Sequence, residues 1–322
     1  MSGSSYAYAS GRVSGLEGSL LTGRIWSQLI SAADRDEILR ILGDSWYGSL
    51  LQGETDLEKA LGKAAGRAEE ELIELSSDDA LTAGVLQRRD VRNARYLWKN
   101  LASGGEGAVD VEPQGAIPVD VLRSAWSDGS LADSLPVQFR EALEEVRLLV
   151  APSAARLDAV IDRLAAKVES ENMGQLDEPL RSLPAAKIEL RNFLTAARNE
   201  ELSPALLEEI LLQGGYHNPS EISDAARMNR LPEVLAEKTG FEDAASSLAE
   251  GIETGSFVSF QRETDIITIN LLEQASANMF SPGPLAAYVL RREMEAAHLK
   301  IIAAGKAAGI DSRRLSARVP RG

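Results

Sequence analysis

Apolar residues recur at helical spacing along most of the chain. The clearest apolar stripe consists of Leu157, Val160, Ile161, Leu164 and Val168. Steps of three and four residues place such side chains on one face of a helix. The stretch 257–272 contains a β-branched patch, but it continues into leucines without a turn signal, so a helix is predicted there as well.

Helix starts and breaks divide this pattern into separate elements. Asp34, Ser203 and Asn218 have the residue types that cap helix N-termini, and Glu37 and Glu221 stand three residues after two of them, as in a capping box. Proline follows Ser203 and Asn218 directly, at the first helical position. Glycine-containing breaks fall near 103–107, 213–215 and 281–284.

A weak internal repeat is the most informative feature of the sequence. One predicted helix in each third of the chain, called a polar helix here, has an acid, then an amide or imidazole three residues later, with apolar residues around them. The three copies carry Asp90, Asn93 and Arg95; Glu189 and Asn192; and Glu295, His298 and Lys300. The acids are 99 and 106 residues apart.

A second repeated element is a short capped helix, which alternates with the polar helix. Its copies begin at Asp36, Val119 and Ser220. Together the two elements predict three units of about a hundred residues each. Their predicted ranges are 1–111, 112–215 and 216–322. Chance similarity in a helical chain rich in Glu and Arg is the alternative explanation.

If the repeat is real, the acid and the amide or imidazole of each polar helix need hydrogen-bond partners. An acid and an amide three residues apart lie on one face of a helix. Burying that face among apolar neighbours is costly unless hydrogen-bond partners are supplied. Three related helices could supply one another with such partners.

Composition supports an all-α fold. The chain has 322 residues, and its 44% hydrophobic content is enough to form a core, whereas aromatic residues make up only 5%. Helix-favouring residues dominate and runs of β-branched residues are scarce. Cysteine is absent, which excludes disulfides, thiolate metal sites and a cysteine nucleophile.

Charge and hydropathy restrict the partners. The net charge of -15 disfavours nucleic acid, which is itself an anion. A local basic run, Arg88, Arg89, Arg92, Arg95 and Lys99, could bind an anionic partner, but pairing with the chain's own acids is favoured. No run of 18 apolar residues and no apolar signal core are present, so a cytoplasmic protein without a membrane span is expected.

Catalytic motifs are absent from the sequence. It contains no phosphate-binding loop, dinucleotide fingerprint, nucleophile elbow or zinc-protease motif. Of the two histidines, His217 is expected in a loop after two glycines, and His298 is expected to be a helix histidine hydrogen-bonded to a carboxylate or a backbone oxygen. Two acidic runs, at 69–71 and 144–145, are interpreted as solvated helix faces. The four tryptophans are interpreted as core or interface anchors. No catalytic residue, cofactor or metal is predicted.

The two ends of the chain, with the repeat, resemble the C subunits of archaeal and bacterial V/A-type ATPases, which are related to the d subunits of eukaryotic V-ATPases. The similar segments are YAYASGRVSGLEGSLL, SWYGSLL and PLAAYVLRREMEAAHLKIIAAGKAAGIDSRRL. The resemblance is carried by Tyr6, Arg12, Leu16, Leu20, Leu21, Tyr47, Leu50, Leu51, Tyr288, Glu293, Glu295, Leu299, Ile301, Gly305, Lys306 and Leu315. The polar helices at Asp90 and Glu189 also match, whereas His298 stands where the family commonly has Asn.

The resemblance implies an all-helical fold of three similar domains around a pseudo-threefold axis, which together form a funnel. Its mouth would receive rotor shaft subunits of the D and F type, and its other end would sit on the membrane proteolipid ring. The implied function is a non-catalytic central-stalk subunit that transmits torque for proton or sodium transport. An acidic body would suit basic faces of the shaft.

Two other function classes remain open at the level of sequence. An all-helical adaptor or scaffold with an unrelated partner is the first, although common solenoid repeats of about 20–50 residues are shorter than this one. The second is a helical enzyme with a carboxylate metal site, to which His298 and distant acids would have to contribute.

Overall fold

The computed structural model describes residues 3–52, 56–76, 79–105, 115–148 and 154–320. Within these ranges the regular structure is helical and contains no strand, which confirms the all-α prediction. The α-helices are α1 Gly3–Glu17, α2 Gly23–Ser31, α3 Arg35–Gly43, α4 Gly48–Leu51, α5 Leu57–Leu75, α6 Asp79–Ala102, α7 Val119–Ser127, α8 Val137–Leu148, α9 Ala154–Met173, α10 Leu183–Arg198, α11 Pro204–Ile210, α12 Pro219–Arg227, α13 Leu231–Ala236, α14 Glu242–Thr254, α15 Val258–Ser276, α16 Gly283–Ala307 and α17 Ser312–Arg318.

The predicted helix starts are confirmed by local hydrogen bonds. Asp34 accepts from the backbone N–H of Glu37 at 2.9 Å, at the start of α3. Ser203 caps α11 with its hydroxyl. Glu221 accepts from the backbone N–H of Asn218 at 2.7 Å, at the start of α12. These bonds satisfy N–H groups that have no partner inside a helix.

The helices predicted from apolar spacing are also confirmed. All five members of the stripe from Leu157 to Val168 are buried on α9. The β-branched patch lies inside the continuous helix α15. Across the described ranges, no helix combines the length and the apolar character that a membrane crossing requires.

A central core joins the N-terminal parts of two polar helices, α6 and α16, to the start of the third, α10. It also contains α1, the end of α5 and the segment between α9 and α10. Representative buried members are Val13, Leu72, Val85, Leu183 and Val289. The three polar helices therefore meet in one hydrophobic cluster, which fixes their relative positions.

Three further cores surround this centre, and each contains the C-terminal part of one polar helix. The α6 core adds α7, α8 and α9 to α6. The α10 core adds the helices from α11 to α15. The α16 core adds α17 and the helices from α2 to α5. Representative members are Leu97, Leu122 and Ile161 in the α6 core; Phe193, Ile222 and Leu248 in the α10 core; and Leu29, Leu61 and Leu299 in the α16 core.

These outer cores cross the unit boundaries that the sequence suggests. The boundaries after 111 and 215 separate a polar helix from the residues that follow it, yet α6 packs with 117–168 and α10 packs with 207–260. The last polar helix, α16, packs with 21–64 near the start of the chain. Each polar helix thus completes the core of the next segment, and the last completes the core of the first.

Removing a buried aromatic ring from an outer core should destabilise the protein strongly. Phe193 on α10 is fully buried, so Phe193→Ala is expected to lower the free energy of unfolding by about 3–5 kcal/mol. Urea denaturation monitored by circular dichroism measures this change. The control is Tyr96→Ala on α6, where the ring is 64% exposed. A loss of similar size in both variants would contradict the assignment of the α10 core.

Candidate functional site

The acid of the first polar helix binds the backbone just before a short helix. Asp90 on α6 is fully buried. Its carboxylate accepts from the backbone N–H groups of Ala116 at 3.2 Å and Ile117 at 2.9 Å. Ile117 lies two residues before Val119, where α7 begins. A buried carboxylate thus supplies acceptors to N–H groups that no helix satisfies.

The second polar helix makes the same kind of contact, with backbone N–H groups that also lie two and three residues before a short helix. Glu189 on α10 is fully buried and accepts from the backbone N–H groups of Tyr216 at 2.9 Å and His217 at 3.1 Å. His217 lies two residues before Pro219, where α12 begins. The ring Nδ1 of His217 also contacts this carboxylate. The acids of two polar helices therefore bind the backbone just before the following short helix in the same way.

The third polar helix makes a related contact with the start of the chain. Glu295 on α16 accepts from the backbone N–H of Leu21 at 2.5 Å, two residues before α2 begins at Gly23. Its other oxygen accepts from Tyr47 Oη at 3.1 Å and from Arg292 at 2.7 Å. The short helix in this position is α2, whereas sequence similarity selected the segment from Asp36, which is α3.

Small residues make room for the first two carboxylates. A Cβ added to Gly115 would lie 1.9 Å from Oδ1 of Asp90, and one added to Gly215 would lie 2.6 Å from Oε2 of Glu189. Both glycines stand four residues before a short helix. Ser19 has this position before α2, and its hydroxyl accepts from Arg292. A glycine or serine four residues before a short helix was the sequence signal that could have revealed these contacts.

The amide or imidazole three residues after the acid has different partners in the second and third polar helices. Asn192 forms two hydrogen bonds with the backbone of Leu212, at 2.8 and 2.9 Å. His298 instead contacts Asp265 on α15 through Nε2 at 2.9 Å. Asn93 is buried and Lys300 is exposed. The predicted hydrogen bond from His298 to a carboxylate is confirmed.

Burial raises the proton affinity of Asp90 and Glu295. Desolvation raises the pKa of Asp90 to about 6, although its two backbone hydrogen bonds act in the opposite direction. Desolvation also raises the pKa of Glu295 above its ordinary value, and the charge of Arg292 opposes this change. The guanidinium of Arg292 lies 4.2 Å from the ring centre of Trp46, a cation–π contact that holds it beside Glu295.

The basic run on α6 pairs with acids of the same chain, as predicted. Each of its five members forms at least one ion pair. The pairs are Arg88 with Glu293, Arg89 and Arg92 with Glu69, Arg95 with Asp158 and Asp162, and Lys99 with Asp158. These pairs connect α6 to α5, α9 and α16, so the run joins helices within the protein.

The prediction of a solvated face for the first acidic run is wrong at Glu69. This side chain is fully buried and accepts from Arg89 at 2.6 Å and from Arg92 at 2.7 Å. Burial alone would raise the pKa of Glu69, but the two guanidinium groups lower it below its ordinary value. The carboxylate can be buried because both partners come from a neighbouring helix, which the local sequence around Glu69 does not reveal.

A groove of about 520 Å³ lies between α9, α10, α15 and α16. Its apolar lining includes Ala165, Ala166, Leu194, Met294 and Ala297. The charged residues of the lining all form ion pairs. The pairs are Asp162 with Arg191, Glu169 with Lys187, Asp265 with Arg318, and Glu293 with Arg88. Because these charges are neutralised inside the protein, the groove offers mainly apolar contact to a partner.

The titratable side chains around this groove have partners within the chain. In the described part of the chain, no three or more His, Asp or Glu side chains lie close enough together to hold a metal ion. Both histidines contact single carboxylates on other elements. These contacts join different elements of the fold.

Comparison with known proteins decides the family. A family model described as "ATP synthase (C/AC39) subunit" matches residues 9–318. The chain belongs to this family.

Curated members of the ATP synthase (C/AC39) family are similar to the chain over nearly its full length. The C subunit of the A-type ATP synthase of Halorubrum lacusprofundi is 24% identical over 317 residues, which cover 88% of each chain. The C subunit of the V-type ATP synthase of Thermus thermophilus is 24% identical over 314 residues, 92% of this chain and 93% of the relative. The C subunit of the A-type ATP synthase of Haloquadratum walsbyi is 23% identical, with 96% of each chain covered.

Several residues that carry the C/AC39 resemblance make polar contacts with other helices. Tyr47 and Glu295 are in direct contact, and Tyr288 donates to Glu71 at 2.8 Å. Glu293 pairs with Arg88 on α6. The residues of the resemblance therefore include those that join α16 to α5, α6 and the start of α4. Their chemistry is structural, since each polar group binds another group of the same chain.

Filling the space beside a buried acid should destabilise this family member. In Gly215→Ala the new Cβ would lie 2.6 Å from a carboxylate oxygen of Glu189. The expected loss in the free energy of unfolding is about 1–3 kcal/mol. The control is Gly62→Ala within α5, where a Cβ meets nothing within 4 Å and about 0.5–1 kcal/mol of stabilisation is expected. Chemical denaturation of both variants tests the contact, and equal effects would refute it.

The titration of Asp90 should be visible in the pH dependence of stability. Its pKa is raised to about 6, so the folded protein binds this proton more tightly than the unfolded chain does. The stability that Asp90 contributes is therefore fully present in acid and falls by about 3 kcal/mol as the pH rises from about 4 to above 6.

The measurement compares the free energy of unfolding of the unaltered protein and of Asp90→Asn at several pH values across that window. The stability of the unaltered protein relative to the variant should decrease as the pH rises. A difference between the two proteins that does not change with pH would show that Asp90 titrates normally.

Proposed function

We propose that this chain is the non-catalytic central-stalk subunit of a V/A-type rotary ATPase. In this role it couples the rotor shaft to the membrane proteolipid ring during proton or sodium transport. The observation that carries the proposal is the family match over residues 9–318, together with relatives of nearly equal length that are named as the C subunits of A-type and V-type ATP synthases.

The arrangement of the cores supports a body made of three related units. Three outer cores surround one central core, and each outer core contains one polar helix. The acids of the polar helices bind the backbone two residues before a short helix in all three cases. We propose that three related units, at 1–111, 112–215 and 216–322, are arranged around a pseudo-threefold axis and form a funnel, with the core of each unit completed by the polar helix of the preceding unit in cyclic order.

The groove between α9, α10, α15 and α16 is the proposed socket for the shaft. Its walls are helices, and its lining residues on α10 and α16 recur at steps of three and four. Alanines such as Ala166 and Ala297 permit close approach of another helix. Since the charged lining residues are paired internally, the contact with shaft subunits of the D and F type would be mainly apolar. Basic faces of the shaft would meet the acidic outer surface.

Stiffness is the physical requirement for transmitting torque. A side chain in a close-packed core cannot move far without disturbing its neighbours. Here polar contacts also connect segments that are distant in sequence, such as Glu295 with Leu21 and Arg88 with Glu293. A load applied at the groove would therefore be distributed over several helices. The proposed role requires no bond chemistry and no cofactor.

The proteolipid ring is the second proposed partner. Contact with the ring would place the protein at the cytoplasmic face of the membrane, held there through protein contacts. The opposite sides of one rigid body would then face the shaft and the ring. With this geometry the protein would act as a coupler between two rotating parts.

The decisive experiment reconstitutes the rotary complex with and without this chain. Without it, the soluble head should continue to hydrolyse ATP, while ATP-driven ion transport into vesicles should stop, because the mechanical connection is missing. Transport at the full rate in its absence would exclude the proposal. A pull-down with the purified chain separates this function from that of an unrelated adaptor, since only the first should recover shaft and proteolipid subunits.

A substitution in the groove tests the position of the socket. Ala297→Trp places a large ring among the lining residues and should prevent binding of the shaft subunits in a pull-down. The control is Ala102→Trp at the exposed end of α6, away from the groove. Both variants should keep the circular dichroism spectrum of the unaltered protein. Normal shaft binding by Ala297→Trp would exclude this groove as the socket.

A further inference from the structure

The middle of α15 is packed less deeply than the helix beside it. Phe260 and Leu272 are fully buried, but no residue between them is, over a length of about three helical turns. Ile267 and Leu271 reach the α10 core only from half-buried positions. The neighbouring helix α16 has a buried residue in each of its turns. A stretch with so few buried apolar side chains has low local stability.

Open space lies on two sides of this stretch, which spans residues 261–271 and is called the α15 wall here. Gln261, Thr264 and Thr268 line the groove of about 520 Å³. Ile269 lines a second cavity, of about 60 Å³, between α2, α15 and α16. A helix with open space on two sides has fewer packing contacts that resist its displacement.

The sequence of the α15 wall also disfavours a stable helix. β-Branched residues occupy five of the six positions from Thr264 to Ile269, and such side chains lose rotamer freedom in a helix. The hydroxyl of Thr264 donates to the carbonyl of Phe260, and that of Thr268 donates to the carbonyl of Thr264, both at 3.0 Å. Bonds of this kind to the preceding turn slightly destabilise helices and often bend them. The wall is therefore weak in its backbone as well as in its packing.

One acid connects the α15 wall to the helices around it. Asp265 contacts Nε2 of His298 on α16 at 2.9 Å and also the guanidinium of Arg318 at the end of α17. In the described part of the chain, no other polar side chain of the wall pairs with a different element. The end of α17 is itself fixed, since Leu315 and Val319 are buried in the α16 core. The contacts of Asp265, called the latch here, thus hold the wall to a rigid neighbour.

We propose that the α15 wall is a movable side of the groove, which the latch holds closed. When the latch breaks, the wall moves away from α16 while its ends stay anchored by Phe260 and Leu272, and the groove widens. The other walls, α9, α10 and α16, stay packed in their cores. The opening is a property of the chain alone. Only its use, the admission of the shaft, rests on the proposed function, so failure of the one is distinguishable from failure of the other.

Hydrogen exchange of the full chain without partners measures the opening. Protection factors of the backbone N–H groups at 262–271 should be about tenfold or more below those at 160–168 in α9 and 294–302 in α16. The physical reason is that a local opening exposes the N–H groups of the wall and leaves the other two helices closed. Equal protection in the three segments would overturn the proposal.

Substitutions in the latch test what holds the wall closed. Arg318→Gln should speed exchange of the wall about tenfold, because a charge-assisted hydrogen bond is lost. Asp265→Asn should have a similar effect, and the double variant should add little, since both changes remove the same contact. Unchanged exchange in the single variants, or fully additive effects in the double variant, would overturn the proposal.

The matched control is Arg191→Gln, which removes an ion pair with Asp162 in the same groove. This pair joins α9 to α10 and stays intact when the wall opens, so exchange of the wall should not change. An effect as large as that of Arg318→Gln would mean that the wall exchanges only when the whole protein unfolds. That result would also refute a local opening.

Strengthening the helix should have the opposite effect. Thr264→Ala combined with Thr268→Ala replaces two β-branched residues by the best helix former and should slow exchange of the wall about fivefold. The control is Thr195→Ala on α10, which removes the same kind of bond, from the hydroxyl to the carbonyl of Arg191 at 2.9 Å, and should leave the wall unchanged. Unchanged or faster exchange in the double variant, or equal slowing in the control, would contradict the proposed movement.

Discussion

The structure depends on buried carboxylates that accept hydrogen bonds from backbone N–H groups outside helices. A carboxylate removed from water is stable only when its oxygens have partners, and a buried N–H group has the same requirement. Asp90, Glu189 and Glu295 meet both requirements at once, each at the entry to a short helix. Because the acid and the N–H groups belong to distant parts of the chain, the hydrogen bonds fix tertiary structure as well as local structure.

The other features of the molecule follow from this arrangement. Each polar helix is held at its middle by a buried acid, contributes its C-terminal part to an outer core, and is positioned against the other two by the central core. The groove between α9, α10, α15 and α16 results from this spacing, and ion pairs such as Lys187 with Glu169 connect its walls. A body held in this way has few soft connections, which is the property that a protein between a shaft and a ring would need.

Much of the fold could be predicted from the sequence, because helix starts and apolar faces are local signals. Asp34, Asn218 and the stripe from Leu157 to Val168 behave as their spacing indicates. The partners of buried polar groups were harder to predict. Glu69 resembled a solvated acid because its two arginines are about twenty residues away along the chain. Sequence similarity placed the first copy of the short helix at α3, whereas Glu295 binds the backbone just before α2, a contact that no local pattern indicates.

Hydrogen exchange tests the central claim most directly. The backbone N–H groups of Ile117, His217 and Leu21 lie outside helices, and such groups usually exchange with solvent quickly. If buried carboxylates hold them, their exchange should be as slow as that of the buried N–H groups within the polar helices themselves. Fast exchange at these three positions, alongside slow exchange in α6, α10 and α16, would contradict the account.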